Sequence, residues 1–227
     1  MTNDIFDFWS VMKPGELIHP ADNEALERLD HHFDLRCLPG CFAGPLRTAP
    51  VVLLYLAPGW APEGLTRATE ENAILQYART WQGNEPLPGP GEPSNPYPGW
   101  VWRTRITKIF APWQELQTRL AILNIAPYQS PGTFKDYKAL RVLPSCRVTL
   151  EWAHSVLFPQ AKRGERIVVC MRSAKHWGLQ RGTQSGQLYA PATARSGHME
   201  HGPMREEIVA AIRKAISEMR NTSSAIF

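Results

Sequence analysis

Four groups of residues in this chain have the types and spacing to do chemistry, and each directly follows an apolar run. Ala57-Pro58-Gly59-Trp60 closes the run VVLLYLAPGW; a Pro-Gly turn lets backbone N–H groups approach a ligand without side-chain obstruction, and Trp60 offers a stacking face. Asn124 closes LAILN, where every neighbour is apolar. An amide presents a donor and an acceptor side by side, enough to read the edge of a nucleobase bidentately; the alternative is a structural amide that holds the next loop by backbone hydrogen bonds. Ser173, Lys175 and His176 follow the third run, in RSAKHWG, where a strand-to-helix turn offers N–H groups and a cation to a phosphate. Arg195, Ser196 and His198 end the fourth, QLYAPATARSGH; His198 either donates to an anionic leaving group or is an exposed loop histidine.

The runs that precede these groups have the length and composition of strands buried on both faces, with helical patterns between them. That pattern predicts an α/β domain with a mainly parallel sheet, in which residues beyond the carboxyl ends of the strands converge on one site. Helical spacing is expected over Asp22–Phe33, from Thr66 or Thr69 to just before Gly83, over Val101–Leu120 with a break at Pro112, over Ser145–Leu157 and over Met204–Met219. The stretch Gly83–Gly99, rich in proline and glycine, reads as a long exposed loop without regular structure, and the tail from Asn221 is expected to fray. At 227 residues the whole chain is expected to form a single domain.

The formal charge of +4 permits nucleic-acid binding without demanding it, and the distribution says more. Trp100–Lys108 holds three cations and two tryptophans with no acid, and Lys162–Arg181 holds six cations against Glu165 alone. Such interleaving suits phosphate contact with base stacking, and equally a solvated face over core tryptophans. The acidic N-terminus lacks the charge of a secretory signal and no run is long enough to span a membrane, so a cytoplasmic protein is expected; a monomer is expected as well. Of the four cysteines, Cys37 and Cys41 form a close pair, but Cys146 and Cys170 have no close partner; reduced buried thiols are expected, with no metal and no cofactor. The absence of a P-loop, GxGxxG, HExxH or GxSxG pattern weighs against a triphosphatase, a dehydrogenase, a zincin and an α/β-hydrolase.

Taken in order, the four segments resemble the uracil-DNA glycosylase superfamily from about Arg36 to His198. VVLLYLAPGW resembles the first motif, a strand ending in GQDPY, GEAPG or GLAPA in different branches. LAILN resembles the strand that ends in the base-reading asparagine, RIVVCMRSAKHWG the strand before the Gly-Ser turn, and LYAPATARSGH the strand and HPSP loop. The resemblance implies a three-layer α/β/α sandwich around a central four-stranded, mainly parallel sheet. It also implies a monofunctional DNA glycosylase that extrudes a nucleotide and hydrolyses its N-glycosidic bond. Asn124 would read the base in a pocket edged by Ala57 and Gly59, Trp60 or Tyr128 would stack on it, Ser173, Lys175 and Ser196 would grip the DNA backbone, and Arg195 or His198 would act from the wedge loop.

The chain departs from the family at the acid of the first motif, where Leu56 and Ala57 stand. Cleavage passes through an oxocarbenium-like sugar, which a carboxylate stabilises. Glu63 ranks first as its source, then Glu70, with Asp136 as a third option. The small Ala57 and Gly59 and the long Pro/Gly insertion suit a base bulkier than uracil. The expected substrate is a modified pyrimidine, for example a glucosylated hydroxymethylcytosine of phage DNA, which would make this an antiviral defence enzyme. A uracil-DNA repair glycosylase and a noncatalytic DNA-binding module of the same fold are the alternatives.

Overall fold

The computed structural model describes residues 4–224 except 90, 93–94, 97–99 and 195–196. Its strands are β1 (Phe42–Ala43), β2 (Val51–Tyr55), β3 (Gly91–Glu92), β4 (Asn95–Pro96), β5 (Leu120–Asn124), β6 (Ile167–Cys170), β7 (Thr183–Ser185) and β8 (Leu188–Ala190). Six of them form one mixed sheet in the order β1-β5-β2-β6-β8-β7, while β3 and β4 pair separately. β2 runs parallel to both β5 and β6, and β6 runs parallel to β8. The edges β1 and β7 are antiparallel to their neighbours.

The helices are α1 (Ile5–Ser10), α2 (Asn23–Arg28), α3 (Glu63–Arg67), α4 (Glu71–Thr80), α5 (Trp100–Thr107), α6 (Trp113–Leu116), α7 (Ala139–Val142), α8 (Pro144–Trp152), α9 (Phe158–Lys162) and α10 (Pro203–Ser224). A π-helical turn over Ala153–Leu157 joins α8 to α9.

Strand residues alternate between two apolar clusters, as a period of two requires when both faces of a sheet are covered. Val52 and Leu54 of β2, Ala121 and Leu123 of β5, and Val168 and Cys170 of β6 join Ile5, Phe6 and Trp9 of α1 and Trp152 and Phe158 beyond them. Val51, Leu53, Leu120, Ile122, Ile167 and Val169 join Ile106, Leu116 and the α10 residues Ile208, Ile212 and Ile216. These three isoleucines recur every fourth residue, so they form one stripe on α10 and are almost wholly buried.

The sheet therefore has six strands where four are expected from the apolar runs. β1 has only two residues, and all three residues of β7 are exposed, so neither carries a hydrophobic run to mark it. Several helices also differ from their sequence spacing. The pattern over Asp22–Phe33 yields helix only for Asn23–Arg28, because the backbone extends at Leu29. The region after Trp60 divides into α3 and α4, with Glu70 rather than a threonine in the N-cap position. At the other end α10 runs through Ser224, well past Met219 and into the tail expected to fray. The Gly83–Gly99 segment holds the short β3–β4 pair, and part of it lies outside the described residues.

Candidate functional site

From β2 the chain passes to β5 on one side and then crosses to β6 on the other, so the order of connection reverses between β2 and β6. In open α/β sheets the crevice beyond the carboxyl ends of strands at such a reversal is the usual place for a ligand. Ala57–Trp60, Asn124 and Ser173–His176 leave the sheet at the carboxyl ends of β2, β5 and β6, and the segment after β8 leaves at the same edge.

Asn124 is the last residue of β5 and stands in register with Tyr55, the last of β2. Its backbone N–H donates to Cys41 O at 2.7 Å, and its side-chain Nδ2 donates to Gly40 O at 2.7 Å. An amide has two N–H donors, so this contact orients the group and leaves the second N–H and Oδ1 for a ligand. Both readings of the amide thus have a physical counterpart here: one donor holds the Gly40–Cys41 segment, and the remainder can read a planar edge. Burial pushes the Tyr55 phenol well above its usual range, against the fields of Arg103 and Arg172. Tyr55 therefore remains a neutral hydroxyl.

The turn after β2 lies beside the segment after β5 through a parallel bridge between Gly59 and Ser130. A Cβ on Gly59 would meet nothing within 4 Å, so this side of the turn is open. Trp60 is half-buried, and its indole Nε1 donates to Asp34 Oδ2 at 3.0 Å, which fixes the plane of the ring. Asp34 also accepts two bonds from Arg36, Nε to Oδ1 and Nη2 to Oδ2, both at 2.8 Å. The Arg36 guanidinium holds the Asp34 carboxyl well below the usual carboxylate range, helped by Trp60 and opposed by burial. A carboxylate that Arg36 keeps ionised at neutral pH thus sits at the rim of the Ala57–Trp60 turn.

Asp136 comes to the same region from the loop after β5, but its carboxylate is turned inward, with a side chain only 2% exposed. It accepts from the backbone N–H of His32 at 2.8 Å, contacts His32 Nδ1 at 3.1 Å and accepts from Ser130 Oγ at 3.3 Å. Such a carboxylate sets the orientation of the imidazole rather than facing a substrate itself. Glu63, at the start of α3, is exposed, and Glu70 precedes α4 half-buried. No contact of the first-ranked Glu63 with the Asn124 region is seen among the described residues, whereas Asp34 is joined to Trp60 directly.

Ser173 has φ of 60°, the one positive value among described non-glycine residues. A non-glycine residue there stores roughly 1–2 kcal/mol of strain, and the tight turn it makes begins the short 3-10 helix Ala174–Trp177. Lys175 is exposed. After β8, a bridge between Thr193 and Met199 closes a small loop that carries the exposed His198. Arg195 and Ser196 lie outside the described residues.

Tyr128 does not reach the site. It is 1% exposed, its hydroxyl donates to Asp22 Oδ2 at 2.6 Å and accepts from the His19 N–H at 3.1 Å, and its ring packs beside Phe33. Of Trp60 and Tyr128, only Trp60 is partly exposed, whereas Tyr128 is enclosed in the core. The residues that sequence reading overlooks are Asp34, Arg36, His32 and Gln129. Gln129 lies against α3, where a Cβ on Gly64 would come within 3.0 Å of Gln129 Oε1. Only the Asp34-x-Arg36 spacing carried a local signal for any of them.

All four cysteines are free and buried. Burial pushes the Cys41 and Cys170 thiols up to about 12, which removes their nucleophilic character at neutral pH. Among the described residues no group of three His, Cys, Asp or Glu side chains could hold a metal ion, and no helix is long and apolar enough to cross a membrane. No family model matches this chain, and neither does any curated protein or any solved structure.

Proposed function

We propose that this chain is a monofunctional DNA glycosylase with a three-layer arrangement around four parallel strands, acting as a cytoplasmic monomer. The observation that carries the reading is Asn124. A half-engaged amide ends a fully buried central strand, beside Tyr55 and next to an open Pro-Gly turn walled by an oriented tryptophan. A flipped base placed there would pair with the free half of the amide and lie against Trp60.

Hydrolysis needs negative charge near the developing oxocarbenium ion and an oriented water. Asp34 is suited to the first need, being held ionised by Arg36 at the rim of the turn. His32, oriented by Asp136, is suited to accept the proton of the water as its oxygen bonds to C1′ and the base leaves with the glycosidic electron pair. The open side at Gly59 and the half-buried Ala57 support a modified pyrimidine such as glucosylated hydroxymethylcytosine over uracil, and with it a role against phage DNA.

The test is abasic-site formation, read by alkaline cleavage of end-labelled duplexes carrying uracil, hypoxanthine, 5-hydroxymethylcytosine or glucosylated cytosine. Cleavage of one substrate that vanishes in Asn124→Ala supports the glycosylase and names its base; cleavage of uracil alone returns the reading to repair. The second reading, a noncatalytic DNA-binding module, is favoured by the apolar Leu56 and Ala57 where the first motif carries its acid. DNA binding with no cleavage of any substrate would support it.

A further inference from the structure

The segments that leave β5 and β6 stand on either side of β2, and they meet. Tyr137 of the first stacks on His176 of the second with ring centroids 5.0 Å apart and planes 19° from parallel. The contact is anchored from below, since Phe134 packs edge-on against Tyr137 at 5.4 Å and Phe33 lies 6.1 Å from Phe134. Tyr137 is nevertheless 47% exposed, so the outer part of its ring is presented to solvent. His176 has its Nε2 buried without a partner, and burial, with the fields of Lys175 and Arg141, lowers its pKa, so the ring stacks as a neutral imidazole.

Charge on these two segments is sorted by direction. Lys135, Lys138, Arg141, Arg172 and Lys175 are all exposed. None of the five forms an ion pair among the described residues, whereas Arg28, Arg36, Arg79, Arg163 and Arg181 each have a carboxylate partner. The only acid between Pro131 and Gly178 that belongs to either segment is Asp136, and it is consumed internally by His32 and Ser130. Un-neutralised cations around an exposed, rigidly held aromatic ring are the arrangement that binds a nucleic-acid strand, with cations on phosphates and a base on the ring.

We infer that the Tyr137–His176 junction is a strand-binding clamp: Lys138, Arg141 and Lys175 contact consecutive phosphates of an unpaired nucleic-acid strand, and Tyr137 stacks on one of its bases. The inference rests on the DNA reading above for the polymer concerned, and extends it to a segment, residues 131–143, that no motif marks. The clamp joins the segments that flank β2, so it would hold the strand at the carboxyl edge of the sheet, where β5 ends in Asn124.

The experiment is fluorescence anisotropy of the full chain with a labelled single strand of about 20 nucleotides and the matching duplex, over about 50 to 300 mM salt. Lys138→Gln/Arg141→Gln/Lys175→Gln should make the slope of log affinity against log salt shallower by about 2, the value for three phosphate contacts on a single strand. Tyr137→Ala should weaken single-strand binding about ten-fold with the slope unchanged, and Tyr137→Phe should restore it. The inference is overturned by the absence of salt-dependent DNA binding, by an equal loss in the control Lys13→Gln/Arg28→Gln, or by anionic phospholipid vesicles binding as well as DNA with no effect at Tyr137. Clamp-dependent binding without abasic sites would leave the clamp standing and remove the glycosylase; abasic-site formation with an unaltered slope in the triple variant would do the reverse.

Discussion

The two ends of the sheet treat buried polar groups in opposite ways. At the amino end, Arg166 is 8% exposed and its guanidinium is spent entirely on its own fold: Nε donates to Ala49 O at 2.8 Å, Nη2 to Leu46 O at 2.6 Å and Nη1 to Gln160 Oε1 at 3.4 Å. Arg47, nearby, lies over the Phe6 ring at 3.9 Å. At the carboxyl end the groups are oriented but not used up. Asn124 keeps an acceptor and a donor, Trp60 is fixed by its nitrogen while only half-buried, and Ser173 holds a strained backbone. Polar groups that satisfy each other completely stabilise; groups that are held in place with capacity left over are suited to a ligand.

The contrast can be broken most sharply at Asn124. Asn124→Ala should reduce abasic-site formation by at least about 100-fold, the order expected on losing a bidentate base contact of about 3 kcal/mol, while loss of the hydrogen bond to Gly40 O should cost only about 1–2 kcal/mol in urea unfolding, so activity is compared per folded molecule. Next in size is Arg166→Ala, which strands two buried carbonyls and should cost about 2–4 kcal/mol in urea unfolding, while activity per folded molecule is retained. A loss of activity beyond the loss of folded protein would erase the distinction between the two ends.

Asp34→Asn should lower turnover by about ten-fold through loss of a fixed negative charge, with binding affected less. It should also alter acid stability. The Asp34 carboxyl is depressed in the folded chain, so its contribution is fully present above the ordinary aspartate pKa, near 4, and is lost as the pH falls below it. Urea midpoints of parent and variant should therefore converge in acid; parallel curves would contradict the assignment.

Tyr128→Phe removes a hydrogen bond to the buried Asp22 and should cost about 1–2 kcal/mol without changing DNA binding, which separates a core tyrosine from a stacking one. The smallest effect is expected at Ser173. Ser173→Gly relieves the left-handed backbone and should stabilise by about 1 kcal/mol, and any accompanying loss of DNA affinity would show that the stored strain serves the turn.

Much of the frame was legible because it depends on local pattern. The runs Val51–Tyr55, Leu120–Asn124 and Ile167–Cys170 became β2, β5 and β6, and every one of their apolar residues is buried. Helix α10 followed from its isoleucine spacing. The edge strands escaped notice because a two-residue β1 and an exposed, polar β7 carry no apolar signature. At the site, Asn124 and Trp60 stood out as polar or aromatic residues ending apolar runs. Asp34 and His32 did not, since they precede the first long strand by many residues and reach the site only through contacts with Trp60 and Asp136.

The amino-acid sequence by itself determined which segments are buried, where each strand ends and hence which side chains leave the sheet at its carboxyl edge, because burial and backbone turns depend on residues a few positions apart. Tertiary structure decided the rest: that Asp34 rather than Glu63 meets Trp60, that Asp136 faces His32 instead of the crevice, that Tyr128 belongs to the core, and that Tyr137 joins His176 across the end of β2. Each of these is a contact between residues far apart in the chain. Their geometry is set by the crossing order of β2, β5 and β6, which no local spacing encodes.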